Sequence, residues 1–196
     1  MKSERVLLLP GWQNSGPDHW QSRWERLHGD ERVEQHDWDW PRRGDWMARL
    51  DEVLLQDDVP ALLVAHSLGC QLVAAWAEHS QHVGRVKGAL LVAPPDTERE
   101  DMPPQLHNWR PIRRPRLPFP SITVISSDDP FGAAERSTQM AADWGSSVVV
   151  AGPRGHLNAE SGLGDWPQGR ELLESLVKRW SGDGPLPSRS APPRGA

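Results

Sequence analysis

The chain has a single cysteine, Cys70, no tyrosine and only two phenylalanines among 196 residues. One cysteine excludes an internal disulfide framework and any CxxC metal or redox pair. No apolar run is long enough for a signal-peptide core or a membrane span. "MKSERVLLLPGW" therefore reads as a first strand, and the expectation is a cytoplasmic protein with no membrane partner. There is no excess of basic charge either. The formal net charge of −5 argues against nucleic acid or an anionic membrane as a partner. What is abundant is tryptophan, with eleven. These supply large rings for a core or for pocket walls. An apolar content of 37% with 25% charged residues suits one globular domain. The Gly/Pro/Ser-rich stretch 181–196 reads as a disordered tail beyond a domain spanning 1–180.

Six short apolar runs recur, at Val6–Pro10, Val33–Trp38, Ala61–Ala65, Lys87–Ala93, Ser121–Ser126 and Ser147–Ala151. Helix-like segments lie between most of them. These are "DHWQSRWERL", "DWMARLDEVLLQ", "LGCQLVAAWAEHS", "AAERSTQMAADW" and, last, "GRELLESLVKRW". In the second of these, Trp46, Leu50, Val53 and Leu54 recur at helical spacing. Alternation of this kind predicts right-handed βαβ crossovers. The architecture expected is a three-layer α/β/α sandwich around a mainly parallel sheet of about six strands. "ALLVA" and "GALLVA" do not alternate polar with apolar, as suits strands buried on both faces. Pro94 to Pro120 breaks the rhythm. It is proline-rich, carries four arginines between Arg110 and Arg116, and reads as a functional loop or small cap. Its arginines are expected on a solvated face.

The sequence Ala65-His66-Ser67-Leu68-Gly69 stands where the third predicted strand meets a helix. Serine there is either a helix cap or a nucleophile raised on a sharp strand-to-helix turn, G-x-S-x-G with alanine in the first position. Such a turn needs small residues two before and two after the serine. It also aims the amide of Leu68 at a developing oxyanion. A second oxyanion donor is expected from the loop after the first strand, where Gly11 frees the backbone and the amide of Trp12 is the candidate. "PGW" is otherwise an ordinary Pro-Gly turn. If the second and third strands flank the first, the two loops diverge at a topological switch point, where open α/β sheets bind ligands.

A serine nucleophile needs a histidine base and a carboxylate to orient it. His79 and His82 lie near the far end of the helix that follows Ser67, some 18 Å away at about 1.5 Å per residue. His107 falls in the irregular segment. His156 follows the last strand on a glycine-containing loop, at the same sheet edge as Ser67. Asp128 and Asp129 follow the fifth strand and both can reach. Asp129, held extended by Pro130, is the favoured partner, with Asp128 shaping the turn. Elsewhere, "HDWDW" (His36 to Trp40) has ligand-type residues, but no partner cluster supports a metal site. Cys70 reads as a small buried residue.

With these residues in hand the chain resembles the α/β-hydrolase superfamily. More narrowly it resembles the small serine hydrolases related to retinoblastoma-binding protein 9, over about residues 5 to 180. The resemblance rests on "LLLPGWQNSGPDHWQSRWE", "VAHSLGC", "SSDDPFG" and "GPRGHLNAESGLGDWPQG". It implies Ser67, Asp129 and His156 as nucleophile, acid and base, no cofactor, and a small-molecule ester-like substrate. His19 and Trp20 belong to the family-like pattern and either line the site or pack the start of a helix. Trp166 either packs against substrate or pins its own loop. The expected activity is cleavage of a carboxylic ester or thioester through an acyl-enzyme on Ser67. The alternative is a non-catalytic binding module that keeps the fold.

Overall fold

A computed structural model describes residues 4–180. The expectation for 181–196 lies outside these residues. Six parallel strands form one sheet in the order β2-β1-β3-β4-β5-β6. They are β1 (Arg5–Leu9), β2 (Glu31–Arg32), β3 (Ala61–His66), β4 (Val86–Val92), β5 (Ser121–Ile125) and β6 (Ser147–Val150). The helices are α1 (Trp20–His28), α2 (Arg43–Leu55), α3 (Leu68–His79), α4 (Ala134–Trp144) and α5 (Pro167–Trp180).

The period-2 geometry of strands sorts side chains between the two helical layers. Leu7 and Leu9 of β1 enter the cluster that α2, α3 and α4 cover, with Trp46, Leu50, Trp76 and Trp144. Leu8 points the other way, into the cluster under α1 and α5, with Trp20, Trp24, Leu173 and Leu176. β3 is buried at all six positions, which explains its unbroken apolar sequence.

The second strand departs from the sequence expectation. Only Glu31–Arg32 pair with β1, and the amide of Val33 adds one bond to the carbonyl of Leu8. Beyond Val33 the chain leaves the sheet. The carboxylate of Asp37 accepts from the amides of Asp39 and Trp40, closing a local turn. Trp38 turns down onto Trp46 of α2. Packing of that ring and the aspartate turn outweigh strand propensity, and His36, Asp37 and Asp39 lie on an exposed loop.

The segment from Pro94 to Pro120 carries a short 3₁₀ helix at Pro104–Trp109, and Met102, Leu106, Trp109, Ile112, Leu117 and Phe119 are buried. Of the four arginines between Arg110 and Arg116, Arg116 is exposed as expected, but the other three are not a free solvated face. Arg110 donates to the carbonyls of Thr97 and Arg99. Arg113 pairs with Glu78, and Arg114 with Asp143 and Glu98. The guanidiniums tie the segment to itself and to α3 and α4. No described helix is long and apolar enough to cross a membrane.

Candidate active site

β3 ends at His66, and α3 begins two residues later at Leu68. Between them Ser67 has φ 53° and ψ −122°, a conformation that side chains other than glycine rarely adopt. It is held there because its amide donates to the carbonyl of Val92 on β4, at 2.9 Å. Its side chain makes no cap bond to α3. Two glycines make room for the turn. A Cβ on Gly69 would stand 2.2 Å from the carbonyl oxygen of Leu9, so α3 crosses β1 in backbone contact. A Cβ on Gly11 would stand 2.7 Å from that of Ser67. The loop after β1 therefore runs directly over the serine.

Ser67, Asp129 and His156 meet at the carboxyl edge of the sheet. His156 Nε2 lies 2.8 Å from Ser67 Oγ, and His156 Nδ1 lies 2.9 Å from both carboxylate oxygens of Asp129. The carboxylate side chain is only 3% exposed and the imidazole 9%. Asp129 also accepts from the amide of Phe131, whose ring packs 4.6 Å from that of His156.

Asp128 takes a different part. Its carboxylate accepts from Ser126 Oγ and from the amide of Gly155, each at 2.8 Å. These bonds hold it below the usual carboxylate range, the Ser126 hydroxyl first. Ser126 Oγ, whose one proton goes to Asp128, also lies 3.1 Å from the carbonyl oxygen of Gly152 and accepts from the amide of Arg154. Ser126 and Asp128 thus stitch the loop bearing Asp129 to the loop bearing His156. Sequence reasoning assigned nothing to Ser126; its signal is its place in the polar "SSDD" run where β5 stops.

His66 is a second unassigned contributor. Its ring is buried and its Nε2 lies 2.9 Å from the backbone carbonyl of His156. A carbonyl only accepts, so this nitrogen carries the proton. The bond supports the His156 loop from beneath. Gln21, also unassigned, bridges the carbonyl ends of β1 and β3 through its amide nitrogen and accepts from Ser15 through its oxygen. Nothing short of the fold brings these residues to the strand ends.

Of the candidate lining residues, only His19 reaches the cavity over Ser67. That cavity is about 350 Å³ and is bounded by Gly11–Asn14, His19, Ser67, Leu68, Pro95, Met102, Leu106, Phe131 and His156, among others. Trp20 and Trp166 are corrections. Both are buried in the layer below, their rings 4.8 Å apart, and Trp20 donates to the carbonyl of Leu157. Trp166 pins its loop: its ring packs on Trp20 and Trp24 and closes against Gly169, away from the cavity over Ser67. Cys70 is buried, and burial pushes its thiol well above the usual range.

Burial has a pH consequence. It pushes His19 down to about 3, helped by the charges of Arg32 and His156. Burial, with His19 and His156 nearby, also holds His66 well below its ordinary value of 6.5. In the unfolded chain both rings gain protons below that ordinary value, while the native rings do not. Their stabilising contribution is therefore full above it and shrinks as pH falls toward the folded values. Between pH 6 and 5, urea unfolding should take up about one proton per ring, or about 1.4 kcal/mol per pH unit each. His19→Asn should flatten the pH dependence of the urea midpoint by about one proton. An unchanged slope would show that His19 titrates normally in the native protein.

A six-stranded parallel sheet covered on both faces, with a strained serine at the β3–α3 junction and a histidine after the last strand, defines an α/β-hydrolase fold. Residues 6–175 match the model of the serine hydrolase family, and the chain belongs to that family. It is similar to a protein of Pectobacterium atrosepticum described as a YdeN-like hydrolase. The two are 29% identical over 90% of this chain and 92% of the other, with a TM-score of 0.79. The ydeN gene product of Bacillus subtilis is 19% identical over 89% of this chain and 99% of its own, with a TM-score of 0.69. A carboxylesterase of Bacillus cereus shares the fold at 16% identity, covering 89% of this chain and 88% of its own, with a TM-score of 0.59. No curated protein matches the sequence.

Proposed function

We propose that this serine hydrolase cleaves a carboxylic ester or thioester of a small molecule through an acyl-enzyme on Ser67. The observation that carries the reading is the unbroken hydrogen-bonded series Ser67–His156–Asp129, opening on the cavity. Asp129 fixes the tautomer in which Nδ1 carries the proton, which leaves Nε2 free to accept from the Ser67 hydroxyl. Ser67 Oγ attacks the carbonyl carbon and His156 takes its proton. The same proton then passes to the departing alcohol or thiol, and a water deprotonated by His156 releases the acid.

Two amides are suited to the oxyanion. Leu68 opens α3, where a backbone N–H has no helical carbonyl behind it. In the loop after β1, the amides of Gln13 and Asn14 are taken by the carbonyls of Trp38 and Gly11. Trp12 remains the candidate there, its indole anchored on the carbonyl of Asp39. Pro95, Met102, Leu106 and Phe131 give one cavity wall an apolar surface suited to the acyl chain.

A fluorophosphonate should phosphonylate Ser67 in the native protein and leave heat-denatured protein unmodified, as read by peptide mass spectrometry. Native protein that resists the reagent would overturn the reading.

A further inference from the structure

The loop containing "HDWDW" (His36 to Trp40) supplies no reacting group, yet three indoles hold its backbone. The carbonyl of Asp37 accepts from Trp46 Nε1 at 3.2 Å, that of Asp39 from Trp12 Nε1 at 2.9 Å, and that of Pro41 from Trp109 Nε1 at 3.0 Å. The acceptors alternate along the chain. The donors come from three separate parts of the fold: α2, the turn after β1, and the 3₁₀ helix at Pro104–Trp109. Trp46 sits edge-on to both Trp38 and Trp109, with ring centroids 5.3 Å and 5.4 Å away. Just past the loop, the amide of Arg43 donates to Asn108 Oδ1.

Exposed polar loops ordinarily move. This one is fixed, and what it holds in turn is the chain after β1. The carbonyl of Trp38 accepts from the amide of Gln13 at 3.0 Å, next to the bond from the Trp12 indole to Asp39. Trp12 is thus gripped twice, through its own ring and through the amide of the following residue. The same turn passes over the nucleophile, where a Cβ on Gly11 would stand 2.7 Å from that of Ser67. Any shift of this turn against the 37–41 loop is therefore a shift of Trp12 against Ser67.

Resting on the ester hydrolase reading, we infer that the 37–41 loop, clamped by Trp46 and Trp109, is a positioning element for the oxyanion site. It sets where the backbone of Trp12 stands over Ser67. An oxyanion donor works only where the charge develops, and a misplacement of about 1 Å costs up to about 10²-fold. Trp46 and Trp109 are buried away from the cavity, so they act through the loop and Trp12.

Trp12→Phe and Trp109→Phe each keep a ring and delete one indole donor. With 4-nitrophenyl butyrate, Trp12→Phe should lower kcat about 10- to 100-fold and Trp109→Phe about tenfold. KM should stay within about twofold of wild type in both, since the interaction lost belongs to the transition state. Propylboronic acid, which forms a tetrahedral adduct on a serine nucleophile, should bind more weakly by the same factor as the fall in kcat. A merely loosened cavity would raise KM instead. Trp109 is buried; should its variant fail to fold, Trp12→Phe decides alone, because its indole bond lies at the surface. Unchanged kcat in folded Trp12→Phe protein, or a loss carried by KM, would overturn the inference. Wild-type protein that neither hydrolyses the ester nor binds the boronate would count against the hydrolase reading. Exchange of the Gln13 amide, expected about tenfold faster in Trp12→Phe, would then still decide whether the loop holds the turn, an unchanged rate going against the inference.

Discussion

Ser67→Ala should lower kcat/KM on a short-chain chromogenic ester by about 10⁴- to 10⁶-fold, and His156→Ala by a similar factor. The reason is chemical interdependence. Serine without the imidazole stays protonated, and the imidazole without the serine has no bound nucleophile to activate. The double variant should therefore be no worse than either single one. Asp129→Asn should cost roughly 10⁴-fold, because an amide presents a donor to Nδ1 and stabilises the wrong tautomer. Asp128→Asn is the informative contrast. Asp128 accepts from Ser126 and Gly155 and does not touch the ring of His156. Its loss should loosen two loops without removing a reacting group, so its effect should be far smaller than that of Asp129→Asn. Ser67→Ala protein with wild-type turnover would end the mechanism, and equal losses at 128 and 129 would end the division of labour between them.

The second large effect is on folding. In Gly69→Ala the new methyl would stand 2.2 Å from the carbonyl oxygen of Leu9 and 3.1 Å from that of Pro10. Both obstacles are backbone, so no rotamer change relieves the clash. β1 and α3 must move apart, which opens the packing under Ser67 as well. A loss of about 3–5 kcal/mol is expected, a large part of the stability of an ordinary domain. That corresponds to a fall in Tm of about 10 °C or more, or to insoluble protein. Gly84→Ala is the control, since nothing lies within 4 Å of a Cβ placed there. Calorimetric scans of the two variants side by side check the expectation. A Gly69→Ala protein as stable as the control would mean that the helix and strand do not touch as described.

Much of this molecule was legible in its residue order because the decisive signals are local. β3 reads as a two-sided buried strand from "ALLVA" alone, and each of Ser67, Asp129 and His156 lies on the connection that leaves a strand end. Parallel strands put all such ends on one edge, so topology does the gathering. Two other features were not legible, for a physical reason. Val33–Trp38 has strand-like composition, but the fate of Trp38 depends on Trp46, a contact that only the folded helix provides. Likewise Trp20 and Trp166 suit a pocket wall as well as a core, and only their mutual packing decides between the two. Arg113 and Arg114 have the same character. Their partners Glu78 and Asp143 are distant in sequence and sit on helices whose relative placement no spacing rule supplies. The roles of Ser126 and His66 rest on carbonyls or amides of remote loops, which side-chain identity does not encode.

Pro95, Met102 and Leu106 belong to a stretch anchored by its own guanidinium clamps, whereas the reacting groups hang from the ends of the strands. Container and reagent are thus built from separable lengths of polypeptide. Under the proposed mechanism, mutational drift in the former would retune which acids are accepted while the latter stays intact, giving laboratory selection a natural place to begin.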